Sequence, residues 1–191
     1  MKKTIFSVFI LMFAIISFWG CRKGPDDPWF SIHSRKARVV GDWKVTTYVV
    51  NDSDKILYTQ TGVLPAGLCG NANFSNTITN GITFSFKKDG SFEEQLKNSV
   101  ATTVTYSIQG AGCTDINTTQ DTVINIKGSW MFSGGTDRTK YKELLTTFNE
   151  NTRLSETFDI TYLANKQIRL EQESTDTAGY FTKITYILDK Q

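Results

Sequence analysis

The chain has 191 residues, with 21 basic and 19 acidic side chains, 26 threonines, 13 phenylalanines, 7 tyrosines, three cysteines and a single histidine. Residues 1–20 hold two of the lysines and no acid, so the remaining 171 residues are formally neutral, which argues against nucleic-acid binding through a basic surface. That length buries one substantial core and is short for two, and the abundance of β-branched and aromatic residues, with no proline after Pro65, points to one all-β domain.

Met1-Lys2-Lys3 precedes an apolar run from Ile5 to Phe18, the layout of an export signal over residues 1–20. The run is short for a bilayer span, which needs roughly 20 residues. Its end, Phe18-Trp19-Gly20-Cys21, resembles a lipobox, with glycine before the cysteine in place but Phe18 and Trp19 departing from the usual leucine and small residue. The resemblance implies a lipid on Cys21. Cleavage by the ordinary signal peptidase, or retention of the segment as an anchor, would leave Cys21 a plain thiol. Residues 21–34, with Gly24, Pro25, Asp26, Asp27 and Pro28, have no periodicity and read as a tether. Its acidic pair resembles the signal that sends some Gram-negative lipoproteins to the cell surface, although Arg22 and Lys23 intervene. Export places Cys69 and Cys113 in an oxidising compartment, where pairing is expected and two free thiols are the alternative. The bridge would close a loop of about 45 residues, contributing up to roughly 4 kcal/mol in the chain-entropy model.

The domain is expected over residues 35–191. Arg35 to Val40 fits one helical turn, and Gly41-Asp42-Trp43 opens a strand alternating through Trp43, Val45, Thr47 and Val49. A short edge strand, Lys55 to Thr61, and a long Gly/Asn/Thr-rich loop, residues 62–80, follow. Next comes the clearest signal: Ile82, Phe84 and Phe86 share one parity, and Asp89-Gly90 marks a reversal. A two-residue loop would set Phe86 opposite Glu93. A three-residue loop, Lys88-Asp89-Gly90 with Gly90 left-handed, sets Phe86 opposite Phe92 and Ile82 opposite Leu96, and is the expected register. From Phe92 the even parity runs through Leu96, Val100, Val104, Tyr106 and Ile108, so one long strand is predicted. In an up-and-down meander that strand leaves Cys69 and Cys113 at the same end.

Further strands are expected over Thr122–Phe132, Thr139–Phe148, Leu154–Leu163, Gln167–Glu173 and Tyr180–Leu188. The second of these also fits a helical spacing, and is assigned as a strand because both its neighbours are strands. About eight strands form the main series, the number at which a small barrel just encloses side chains or one ligand.

Gly41-Asp42-Trp43, Phe84 to Phe92, Gly128-Ser129-Trp130 and Phe158 to Leu170, in that order, resemble the lipocalin-like domain of Gram-negative envelope lipoproteins across roughly residues 37–189. The resemblance implies an antiparallel, up-and-down β-barrel carried at the outer membrane, on its periplasmic or cell-surface side. It implies no particular activity.

Chemistry finds little to work with. His33, the only histidine, falls in the tether, so no nucleophile-histidine arrangement forms in the domain, and no Cys/His cluster has metal-ligand spacing. The chain is therefore read as no enzyme, with no cofactor and no metal. Glu171 and Glu173 oppose the parity of Ile168 and Leu170 and belong on a solvated face, whereas Glu94 shares the parity of Phe92 and Leu96. A carboxylate there is costly in a filled barrel but useful in a cavity wall, unless it lies at a wet end or a bulge turns it outward. Phe84, Glu94, Tyr106, Trp130, Tyr162 and Tyr186 are the candidate ligand-binding residues; a filled core accounts for the aromatics equally well. Two functions fit. One is binding of a small apolar or amphipathic ligand inside the barrel. The other is an accessory envelope protein with a filled barrel, contacting a protein or glycan through its outer face or loops. A cavity of roughly 300 Å³ or more beside Glu94 would favour the first, and a solid core the second.

Overall fold

The computed structural model describes residues 34–110, 112–133 and 144–191, so the expected export signal, Cys21, and the expected tether with His33 lie outside the described residues, except for Ser34 at the tether's end. A five-residue helix, α1 (Arg35–Val39), leads into β1 (Gly41–Val50) and the two-residue β2 (Ser53–Asp54). Then come β3 (Leu57–Pro65), β4 (Asn71–Phe86), β5 (Ser91–Tyr106), β6 (Ile116–Ser133) and β7 (Leu144–Asn149). The chain ends with β8 (Ser155–Leu163), β9 (Gln167–Thr175) and β10 (Phe181–Lys190).

Neighbours pair antiparallel in the order β1-β10-β9-β8-β7-β6-β5-β4, and β4 returns to β1 through Gly41 opposite Phe86 and Trp43 opposite Phe84. Eight strands thus close an antiparallel barrel. Its base is packed because alternate residues of every strand point inward. Trp43, Phe86, Leu145, Leu163, Ile168, Leu170 and Leu188 are fully buried there, together with Val39 of α1. The helix plugs this end: Ser34 caps it by accepting from the Ala37 N–H, Arg38 donates to the Leu163 carbonyl, and the Trp43 indole donates to the Val39 carbonyl at 2.7 Å.

The β4–β5 hairpin has the expected register, with Phe86 opposite Phe92, Ile82 opposite Leu96, and Gly90 at φ 91°. Trp130 pins its loop, donating from the backbone to Gly90 (2.8 Å) and from the indole to Lys87 (2.9 Å). The second glycine-tryptophan motif has a different logic, since a side chain at Gly128 would collide with the Phe148 carbonyl where β7 crosses β6.

β4, β5 and β6 are longer than the barrel needs. Beyond its open end, residues 71–79, 98–106 and 116–126 of these strands join β3 in a four-stranded wing, roughly 30 Å long, whose tip carries the Cys69–Cys113 disulfide. The wing corrects two expectations. The edge strand runs from Leu57 to Pro65 rather than Lys55 to Thr61, and most of the supposed loop 62–80 is the first half of β4. Asn73, Ser75, Thr77 and Thr79 are polar because they face outward, while Ala72, Phe74 and Ile78 line the other face. The Phe74 ring covers Gly62, occupying the space a side chain would take. Similarly, β6 starts at Ile116, six residues before the expected Thr122. The ambiguous segment is a strand over Leu144–Asn149; residues 139–143 lie outside the described residues.

Two bulges change which side chains point in. Between Val45 and Thr47 the register shifts, so Tyr48 and Val50 take the inward positions expected of Thr47 and Val49. Between Ile160 and Tyr162 a second shift turns Leu163 inward and leaves Tyr162 beside exposed Arg169, outside the barrel. Glu171 and Glu173 face outward as expected, and both pair with Lys183, at 3.0 and 3.1 Å.

Candidate functional site

The barrel interior is filled with aromatic rings from its base upward. Phe84 lies 6.0 Å from Phe86, 5.9 Å from Phe92 and 6.1 Å from Tyr186, and Phe86 lies 5.6 Å from Trp130. Phe84 and Trp130 are therefore core residues. At the open end, where the wing begins, a hollow of about 180 Å³ remains between Phe92, Glu94, Ile126, Thr147, Leu154 and Glu156. Drug-sized ligands occupy pockets of roughly 300 Å³ or more, so this hollow fits a small group only. Two larger hollows, of about 260 and 390 Å³, are lined mainly by outward-pointing polar side chains such as Asp42, Ser85 and Glu93, or Thr61, Asn73 and Thr105.

Glu94 points inward between Phe84 and Ile126 of the neighbouring strands. Burial, reinforced by the Glu156 charge, pushes its carboxyl up to about 7. The Tyr186 phenol is pushed above its usual range, first by burial and then by Tyr48, Glu94 and Glu156; it stacks on Tyr48 at 4.9 Å. The mouth thus gathers two carboxyls and two phenols above an apolar floor. Of the six candidates, Phe84, Glu94, Trp130 and Tyr186 converge on the interior. Tyr106 sits far out on the wing opposite Ala72, and Tyr162 is outside. Glu156 and Tyr48 were missed. Glu156 has the parity of Phe158 and Ile160, a usable signal; Tyr48 depends on a bulge that no residue type announces.

The wing prolongs the inner face of the barrel into solvent. Its apolar side chains come in rungs, among them Tyr58, Ile78 and Val100, then Phe74, Val104 and Ile116, with the polar rung Gln60, Asn76, Thr102 and Thr118 between them; on the barrel side of Ile78, Asn98 donates to Asn80 at 2.8 Å. Much of this surface is uncovered: Leu64 is 58%, Ile124 49% and Ile116 42% exposed. The outer face is hydroxyl and amide, with Thr59, Thr77 and Thr119 on one rung and Thr61, Ser75, Thr103 and Asn117 on the next.

No family model and no curated protein matches the chain. What it does is therefore carried by its own geometry. Among the described residues, no group of three or more His, Cys, Asp and Glu side chains is placed to hold a metal ion.

Proposed function

We propose that this is a non-catalytic, lipid-anchored protein of the Gram-negative cell envelope, in which a filled, lipocalin-like barrel serves as a pedestal and the wing is the surface that contacts another polypeptide. The wing carries this reading. It adds nothing to barrel closure, yet it presents half-exposed apolar rungs that solvent disfavours and a partner would cover. A photo-crosslinking residue placed at Ile116 or Ile124 in living cells should give adducts of raised mass, and one placed at outward-facing Asp159 should not. Adducts absent from both wing positions would refute the reading.

Glu94 favours a second reading. A small amphipathic molecule with a hydrogen-bond-donating or cationic head could set that head in the hollow against Glu94 and Glu156, with its tail along Leu96 and Ile124. Intact-mass spectrometry of protein extracted gently from membranes tests this and the anchor together. A reproducible non-covalent adduct lost in Phe92→Trp, which would fill the hollow, supports the ligand. A diacylglyceryl mass present in the native chain and lost in Cys21→Ser supports the anchor, whereas a native chain without it rules the anchor out.

A further inference from the structure

Among the described residues the wing has two open edges, and they differ. On β3 the odd residues point their backbone groups away from β4, and Pro65 at the end of that row removes an N–H, a common guard against edge pairing. β6 has no such guard. Its even residues bond toward β5, as the Trp130 N–H does to Gly90, so its odd residues face the other side. There Lys127 accepts from Glu150, and the pairing with β7 begins at Gly128. Below Lys127 no strand among the described residues covers β6, which leaves Asn117, Thr119, Asp121, Val123 and Asn125 with outward backbone groups on a row where every residue from Ile116 to Asn125 is exposed.

The inner face of this free edge reads Ile116, Thr118, Gln120, Thr122, Ile124, which is palindromic about Gln120. In an antiparallel, two-fold symmetric pairing of identical strands each residue meets the one equally far beyond the centre, so this palindrome sets isoleucine against isoleucine and threonine against threonine. We propose that the partner of the wing is a second copy of this chain, joined through β6 to β6 with Gln120 on the two-fold axis; this rests on the reading of the wing as a polypeptide-binding surface.

The register is consistent at each level. Gln120 lies opposite the partner's Gln120, Thr118 opposite the partner's Thr122, and Ile116 opposite the partner's Ile124, so the two half-exposed isoleucines cover each other. On the outer face Thr119 meets the partner's Asp121, a hydroxyl donor against a carboxylate, and no like charges are opposed. Odd residues pair with odd, so outward N–H and C=O groups meet their counterparts in about eight inter-copy hydrogen bonds. The paired segment stops at Ile124, short of Lys127, where the edge is already taken. Two wings would then form one continuous eight-stranded sheet with a barrel at each end.

Cysteine scanning in cells producing the full chain tests the register. Gln120 faces itself as a non-hydrogen-bonded pair, about 4.5 Å between Cα atoms, within disulfide reach. Gln120→Cys should therefore give a species of twice the monomer mass on a non-reducing gel. Thr118→Cys alone should not, since its counterpart is about 13 Å away, but coexpression with Thr122→Cys should restore the dimer. Thr119→Pro in the Gln120→Cys background removes an outward N–H without touching the barrel, and should abolish the dimer. A monomeric Gln120→Cys with its Cys69–Cys113 bridge intact would overturn the proposal, as would equal yields from Thr118→Cys alone or persistence of the dimer with Thr119→Pro. If the wing photo-adducts have some other mass, the polypeptide-binding reading stands and self-pairing falls.

Discussion

Stability should fall as pH rises from about 4.5 to about 7, and Glu94→Gln should remove most of that slope. The carboxyl of Glu94 moves from an ordinary 4.5 to about 7 on folding, because burial disfavours its charged form and the Glu156 charge adds to the effect. The sign follows from proton counting. Below about pH 4.5 the group is neutral in both states and its contribution to folding is fully present. Between 4.5 and 7 the unfolded chain gives up the proton while the folded chain keeps it, so stability is lost progressively. Above 7 the folded barrel holds an ionised carboxylate in a mostly apolar mouth. The full swing is on the order of 3 kcal/mol, at about 1.4 kcal/mol per unit. Urea midpoints across the range would read it, with the slope of free energy against urea unchanged. Glu156→Gln should reduce the swing only partly, since it removes the lesser cause. Parallel pH profiles for the native chain and Glu94→Gln would show that Glu94 keeps its proton no better folded than unfolded.

Parity was enough to read the parts of the barrel that are buried on one side. Phe86 and Phe92, Ile82 and Leu96, and the continuous strand through Asn98 were legible because a slip of one residue would send each of these side chains to solvent. The pairing of Cys69 with Cys113 followed from the same continuity and from compartment. Legibility failed where burial stopped deciding. In the wing neither face is dry, so Asn71 to Asn80 carries the composition of a loop while pairing on both sides, and β6 begins six residues earlier than its apolar run. It failed again at the two bulges, because the backbone shift that brings Tyr48 in and turns Tyr162 out leaves the alternation on either side locally normal. Glu94 was visible as an inward carboxylate. Whether it faced a cavity or a packed mouth depended on the sizes of its neighbours, Phe84, Phe92 and Ile126, across three strands.

Trp43→Ala should cost about 3–5 kcal/mol, a larger loss than any single substitution in the wing should cause. Trp43 has no exposed surface and sits where β1 meets β4 to close the barrel, opposite Phe84. Truncation opens a cavity between the plugging helix and the ring stack, leaves the Val39 carbonyl without its indole partner, and removes the surface over which the Lys190 ammonium lies, 5.2 Å from the ring centre. Trp43→Phe should recover roughly half of the loss, since it keeps a ring but no donor. Ile116→Thr, on the wing, should stay within about 0.5 kcal/mol, because its side chain is 42% exposed in the single copy and leaves no cavity. Equilibrium urea unfolding of the three variants at concentrations where the chain is monomeric gives the comparison. A small effect at Trp43 with a large one at Ile116 would place the stabilising contacts in the wing and undo its assignment as a surface. The expected order places them at the closed end, and a barrel that is stable without contributions from the wing leaves β6 free to evolve toward a partner.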